Sequence, residues 1–292
     1  MRCAGSTRRC SMSPRRSSAN PAALLSRLIA IDLDGTLLRS DRTVSDRSRV
    51  AVAAARAAGI EVIVATARSP RGARGLAAEA GIGGVAICAN GATLYDLDTE
   101  TIVTHTPLAA STAHVLVRGL RERFPGIAFG WEHELRFGSE PAYEALRTHE
   151  WWPRPADAYE PCDPLTWSLP MTKLIARLPD ADLEHVLAVA AEIACDDAST
   201  TLAGSSFVEM AAAGVGKEAA LEQLAAERGL GAARVVAFGD HLTDAAMVAW
   251  AGHGVAVANA HPVVIAVADE VCASNDDDGV ADVLERIVRE GR

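Results

Sequence analysis

Short apolar runs that stop abruptly at polar residues alternate along this chain with longer stretches in which apolar side chains recur every three or four positions. The runs predict buried strands, and the longer stretches predict helices that lay one face on a sheet. Leu28-Ile29-Ala30-Ile31 is the first run, and it ends in Asp32-Leu33-Asp34-Gly35-Thr36. Residues 45–58 predict a helix, because Ser45 can cap it, Asp46 suits its first turn and Gly59 ends it. The small apolar face of that helix (Val50, Ala53, Ala54, Ala57) allows close packing on a sheet. Residues 60–65 predict the next strand, which ends at Thr66. Strand–helix–strand alternation of this kind signals a parallel sheet with crossover helices.

The same pattern returns late in the chain. Residues 217–228 predict a helix closed by Gly229, and residues 235–238 a strand ending in Gly239-Asp240. A short helix over 244–251, a strand over 255–257 and a last helix over 281–289 follow. The middle differs: residues 108–210 hold Trp131, Trp151, Trp152, Trp167 and eight of the 13 prolines. Two α/β halves around a distinct middle predict a doubly wound parallel-sheet core formed by residues 27–107 and 211–292. A second α/β domain is then inserted over residues 108–210.

Composition narrows the function. With 49% apolar and 23% charged residues, the 292-residue chain has the make-up of an ordinary globular protein, and it contains no apolar run long enough to span a membrane. A net charge of −10 argues against nucleic-acid and acidic-membrane partners but leaves room for a local phosphate pocket. Residues 1–27 hold six Arg, no Asp or Glu, and no apolar segment of a secretory signal. Residues 1–26 are therefore expected to be a disordered extension, with a transit peptide or a basic arm as alternatives. The six cysteines form no CxxC pair and the eight histidines no HxH or HExxH cluster, as expected of a reduced, cytoplasmic protein without a zinc-type site. The chain has only two lysines, Lys173 and Lys217. Arg is a planar fork and Lys a point charge, so a Lys retained among so many Arg can mark a tight site.

Three predicted strand ends carry polar residues: Asp32 with Asp34, Thr66, and Asp240. Ligands of open parallel sheets bind at the carboxyl ends of the strands. Carboxylates converging there repel one another unless a hard cation lies among them, and oxygen ligands with a phosphate substrate suit Mg²⁺. Gly214-Val215-Gly216-Lys217 is not a nucleotide-binding P-loop, since Ala211 and Glu218 stand where that motif needs Gly and Ser or Thr.

Asp32-Leu33-Asp34-Gly35-Thr36 resembles the DxDGT nucleophile motif of the haloacid dehalogenase superfamily. Val64-Ala65-Thr66-Ala67-Arg68, Lys217 and Gly239-Asp240-His241-Leu242-Thr243-Asp244 resemble its second, third and fourth motifs, in the right order. Ala89-Asn90-Gly91-Ala92 and the stretch from Asn275 to Val280 are similar to segments of its Cof-type (subfamily IIB, C2 cap) branch. The resemblance implies a Mg²⁺-dependent phosphatase acting on phosphate monoesters of small metabolites: sugar phosphates, nucleotides or phosphorylated cofactors. It makes Asp32 the nucleophile that forms an aspartyl-phosphate, and Asp34 the acid that protonates the leaving alcohol and then activates water. It gives the metal to Asp32, the Asp34 backbone carbonyl and Asp240. The substrate phosphate falls to Thr66, Ala67, Lys217 and Thr243, and Asp244 orients Lys217 or a metal-bound water. It also makes residues 108–210 a cap that closes over the catalytic face about a hinge near Pro107 and Ala211.

Asp34 favours hydrolysis of a phosphate ester, because the superfamily's ion pumps and dehalogenases lack an acid there. Two positions depart from the family pattern: Ala67 replaces a Gly and Thr243 an Asn. Thr243 can cap the following helix or touch the phosphate. Its presence is the feature behind an alternative, a weakly active or inactive regulator that binds a phosphorylated ligand; a phosphomutase is a third reading. Lys173 begins a strand or reaches from the inserted domain toward substrate. His241 is expected on a loop surface. Trp131, Trp151 and Trp152 are expected in the packing of the inserted domain rather than as a sugar platform, and Asp276-Asp277-Asp278 as a solvated turn.

Overall fold

The first apolar run forms strand β1 (Leu28–Ile31), buried on both faces as a central parallel strand must be. The computed structural model describes residues 28–146, 159–203 and 207–291, so the N-terminal extension and the Trp151-Trp152 pair lie outside the described residues. After β1 come helix α1 (Asp46–Ala57), strand β2 (Glu61–Val64) and helix α2 (Pro70–Glu79). Ser45 caps α1 as expected, accepting the Ser48 N–H at 2.9 Å. Strands β3 (Val85–Cys88), β4 (Thr93–Asp96) and β5 (Thr101–His105) then form an antiparallel meander. A single parallel bridge, Ala65 to Ile87, ties that meander to the end of β2.

The middle of the chain builds a separate sheet. It contains helix α3 (Ala110–Arg123), strands β6 (Ala128–His133) and β7 (Arg136–Ser139), helix α4 (Pro141–Ala145), strand β8 (Tyr159–Pro161) and strand β9 (Lys173–Arg177). Helix α5 (Leu183–Ala194) and strands β10 (Ala198–Ala203) and β11 (Phe207–Ala212) complete it. The strand order is β10-β11-β9-β6-β7-β8, antiparallel except for the β7–β8 pair. One face of this sheet packs on α3 and α5, with Phe129, Trp131, Leu174 and Met210 meeting Leu116, Leu120 and Val186. Trp131 is wholly buried there, as expected of a packing residue.

The chain then returns through helix α6 (Lys217–Glu227), strand β12 (Val235–Gly239), helix α7 (Ala245–Trp250) and strand β13 (His253–Ala256). Helix α8 (Pro262–Val267), strand β14 (Glu270–Val271) and helix α9 (Gly279–Glu290) end it. The core sheet runs β14-β13-β12-β1-β2, all parallel. Separate apolar clusters cover its two faces, one reaching α1 and α9 and the other α6 and α7. This is the doubly wound α/β core the sequence predicted. Strand order reverses between β1 and β12, and such a switch point opens a crevice at the carboxyl ends of the two strands.

Some boundaries differ from expectation. The helix predicted over 244–251 starts at Ala245 because a 3₁₀ turn over Leu242–Asp244 precedes it. The acidic run at 276–278 is more than a solvated turn, since Asp278 takes two hydrogen bonds from Arg39 Nη2 (2.9 and 3.1 Å) and Asp276 two from Ser40. These bonds tie the loop after β1 to the start of α9. No helix among the described residues is long and apolar enough to cross a membrane.

One ion-pair cluster at the edge of the core gives a pH prediction. Hydrogen bonds from His253 and Arg286 hold the Glu270 carboxyl at about 2, below its usual 4.5, against partial burial. A depressed carboxylate stabilises the fold fully above its unfolded value and loses that contribution as pH falls through the folded one. Glu270→Gln should therefore lower the melting temperature at pH 7, and the difference from wild type should shrink between about pH 4.5 and 2 in thermal melts.

Candidate active site

Two acids leave the switch point side by side. The Asp32 N–H extends the β1–β12 ladder by donating to Phe238 O at 3.1 Å, which fixes the residue just past the strand end. Asp240 follows β12 directly. Between them, Gly35 turns the chain at φ +80, and a Cβ there would collide with the Asp240 carboxylate. Only glycine satisfies both constraints. Thr36 Oγ1 donates to Asp240 Oδ1 at 2.8 Å. Gly35→Ala should thus displace Asp240 and weaken any activity that depends on that acid by about tenfold or more, as read by steady-state kinetics.

Lys217, the first residue of α6, points its ammonium into the same crevice and is only 2% exposed. Its Nζ lies 2.7 Å from Asp32 Oδ1 and 2.5 Å from Asp244 Oδ1. The other oxygen of Asp244, Oδ2, accepts the N–H groups of Asp240 and His241 at 3.1 and 2.9 Å. Asp244 is wholly buried and spends one oxygen on Lys217 and the other on these N–H groups. The same bonds supply the cap of this turn. Thr243 therefore is not the cap, contrary to one of its expected roles: its hydroxyl lies 3.4 Å from His241 Nδ1 and the residue lines the cavity.

Burial dominates the electrostatics. It pushes the Asp32 carboxyl well above the usual value; Lys217 pulls it back, while Asp244 and Asp240 push it further up. Asp240 is raised to about 6, by burial first and by Asp244 next, against the Thr36 hydrogen bond. Burial disfavours the Lys217 ammonium, but Asp244 and Asp32 outweigh it and raise its pKa. Oxygens of Asp32, Asp240 and Asp244 lie within 4.8 Å of one another, so one ammonium faces three carboxylates. Asp32 and Asp240 each use one carboxylate oxygen, on Lys217 and Thr36, and keep the other without a hydrogen-bond partner among the described residues. An all-oxygen pair with excess negative charge fits a hard divalent cation, and Asp244 is already committed. The acid that would complete the set is therefore Asp240 rather than Asp244.

Asp34 projects on the other side of the turn, half-exposed, where Arg68 Nε and Nη2 grip its carboxylate at 2.6 and 2.5 Å. Arg68 has no role in the sequence expectations although it stands in the second motif. Its planar fork matches a carboxylate in two bonds, so it orients the side chain of Asp34. Thr66 is wholly buried beneath, accepting the Arg68 N–H at 3.1 Å, and does not line the cavity; Ala67 does.

A cavity of about 400 Å³ opens on Asp32, Asp34, Lys217 and Asp240, roofed by the second sheet. Lys173 begins β9, one of its two expected readings, and its Nζ bonds the Ala67 carbonyl at 3.1 Å across the cavity and pairs with Glu209. Asn90 Nδ2 donates to Glu209 at 3.3 Å, and Arg71 Nη2 lies 3.3 Å from Glu132. Arg71, Glu132 and Glu209 were not singled out from sequence as site residues. The sequence signals for this tier are the scarcity of lysine and the Asn90 segment that resembles the Cof-type branch. His241 is half-buried at the cavity edge rather than on an open loop surface.

Comparisons with known proteins agree with this geometry. The model of the haloacid dehalogenase-like hydrolases matches residues 29–284. The chain is 29% identical over 268 residues to the 5-amino-6-(5-phospho-D-ribitylamino)uracil phosphatase YcsE of Bacillus subtilis, covering 90% of this chain and 96% of that one. It is 28% identical over 285 residues to the pyridoxal phosphate phosphatase YbhA of Escherichia coli, covering 89% and 98%. The solved structure of a haloacid dehalogenase-like hydrolase from Bacteroides thetaiotaomicron superposes with a TM-score of 0.74 at 26% identity, covering 90% and 99%.

Proposed function

The chain belongs to the haloacid dehalogenase-like hydrolase family and is a phosphatase of its Cof-type branch, and we propose that it hydrolyses phosphate monoesters of small metabolites through an aspartyl-phosphate on Asp32, with Mg²⁺ as its cation. The observation that carries this reading is the Asp32 carboxylate, held at a strand end by Lys217 at 2.7 Å with Asp240 beside it. Asp32 and Asp240 would hold the cation, together with the Asp34 backbone carbonyl that the family resemblance adds. When bound, the cation supplies charge neutralisation for the phosphoryl oxygens and lowers the ionisation cost of both acids.

The remaining roles belong to the chain's own groups. Lys217 favours the ionised form of Asp32 against its burial, aims it, and offsets charge on the transferring phosphoryl group. Asp32 attacks phosphorus, and Asp34, oriented by Arg68, gives its proton to the departing alcohol oxygen. Asp34 then takes a proton from the water that splits the acyl phosphate, returning Asp32 as a carboxylate. In this reading Ala67 and Thr243, which line the cavity, contact the phosphate, and Thr66 supports them from beneath by accepting the Arg68 N–H. Residues 108–210 act as the cap of a core made of 27–107 and 211–292, and exclude water between the two steps.

Phosphate release from a panel of phosphorylated metabolites tests this. Activity should require a divalent metal, be abolished by EDTA and return with Mg²⁺. Asp34→Asn should slow hydrolysis of alkyl phosphates by about 10²–10⁴-fold. In the first step, read as the pre-steady-state burst of leaving-group release, it should cost far less with acetyl phosphate, whose leaving group needs no proton. Equal losses on both substrates would remove Asp34 from the acid role. Metal-independent release would remove the cation from the site.

A further inference from the structure

The turn that carries Asp34 has open space against it in two places. Asp34 lines the main cavity, and with Gly35, Leu38, Asn259 and Asn275 it also lines a second cavity of about 320 Å³. Gly35, at φ +80, brings no side chain to brace the backbone, and glycine is the freest residue a turn can hold. Within the turn, the Thr36 N–H reaches Leu33 O at 3.3 Å and the Leu38 N–H reaches the same carbonyl at 2.8 Å. Neither bond involves the Gly35 carbonyl. Its direction is left to a partner outside the turn.

That partner comes from the far edge of the core sheet. The order β14-β13-β12-β1 places two strands beyond β12, and the loop after each carries an asparagine, Asn259 after β13 and Asn275 after β14. Both reach past β12 to the loop that follows β1. Asn259 Nδ2 donates to Gly35 O at 2.7 Å, and its Oδ1 accepts the Asn275 N–H at 3.0 Å. The residue is exposed, yet both ends of its amide are held, which sets the amide's orientation. Asn275 is buried and donates from Nδ2 to Leu38 O at 2.8 Å. Leu38 in turn is bridged to Asp34. Two linked amides therefore grip the carbonyls at the start and the end of the segment from Gly35 to Leu38. Neither asparagine lines the main cavity, so any effect on chemistry runs through the backbone they hold.

We propose that Asn259, locked by Asn275, is a positioning residue for the cation site. By fixing the Gly35 carbonyl it fixes the adjoining peptide, whose Asp34 carbonyl is the ligand that the family resemblance adds to Asp32 and Asp240. This rests on the phosphatase reading and its cation, and adds the residue that holds one ligand in place. Groups that orient a ligand without touching the metal change affinity by about 10–100-fold.

Mn²⁺, a hard divalent cation suited to oxygen ligands, tests this by titration calorimetry on the full chain without substrate. Asn259→Ala should weaken Mn²⁺ binding by about tenfold. Asn259→Asp is the sharper variant, because it still accepts the Asn275 N–H but sets a carboxylate against the Gly35 carbonyl. It should weaken Mn²⁺ as the alanine does, whereas a residue that only tied the C-terminal turn together would tolerate the change. Glu285→Gln breaks the Arg47 pairing of α9 at a distance from the turn, and should keep Mn²⁺ affinity within about twofold. In kinetics, Asn259→Ala should need about tenfold more Mg²⁺ for half-maximal activity and regain most of its kcat at saturating Mg²⁺. A dissociation constant is insensitive to the fraction folded, so partial unfolding does not imitate these shifts. Wild-type Mn²⁺ affinity in either Asn259 variant overturns the proposal, as does an equal loss in Glu285→Gln, and the phosphatase reading then stands. A wild-type chain that binds no Mn²⁺ removes the cation and the positioning role together. If Mn²⁺ binds and the Asn259 variants weaken it while no ester is hydrolysed, the phosphatase reading falls and the positioning role stands.

Discussion

Asp32→Asn is expected to reduce phosphate release by at least about 10³-fold while leaving the melting temperature within about 4 °C of wild type. The amide keeps the shape of the carboxylate but cannot attack phosphorus, so the first displacement is lost. Stability is spared for an electrostatic reason. Burial and the neighbouring Asp240 and Asp244 disfavour the ionised form of Asp32, so the substitution removes a charge the fold holds at a cost. Lys217 keeps its second partner, Asp244. Steady-state kinetics and thermal melts on the same preparation check both halves. A large loss of stability would mean that the Asp32–Lys217 pair holds the fold together.

Lys217→Met should fail in both respects. Lys217 is the ammonium among three carboxylates whose oxygens lie within 4.8 Å of one another. Removing it leaves buried like charges without compensation, which costs about 3–5 kcal/mol by analogy with broken buried pairs. Asp32 is then less ionised as well as less well aimed, so turnover should fall by about 10²-fold or more. Lys217→Arg should not rescue it, because the space between Asp32 Oδ1 and Asp244 Oδ1 takes a point charge rather than a planar fork. Chemical denaturation and kinetics separate the two effects. An Arg variant with near wild-type activity would contradict the tight geometry.

The parts of this site legible in the sequence are those that local chain chemistry fixes. A strand that ends in Asp32-Leu33-Asp34-Gly35 announces its turn, because an acid at a strand end followed by a left-handed glycine needs no distant partner to be recognised. Lys217 stood out as one of two lysines at a predicted helix start. The structure also shows why other parts were not legible. Arg68 meets Asp34 from 34 positions away, and Lys173 meets Glu209 from 36 away, pairings that only sheet order and register define. Glu132 stands opposite Lys173 through the β6–β9 ladder, which no sequence period encodes. The β3–β5 meander went unassigned because its strands are short and set among Gly, Ala and turn residues. Thr243 satisfied the composition rule for a cap, but Asp244, one residue later, is the side chain that reaches the free N–H groups.

The stereochemical course at phosphorus tests the central claim most directly. Hydrolysis of a monoester made chiral with oxygen isotopes should proceed with overall retention, because attack by Asp32 and then by water are two in-line displacements, each inverting the centre. Overall inversion would mean that water attacks the ester in a single step and that Asp32 is never phosphorylated.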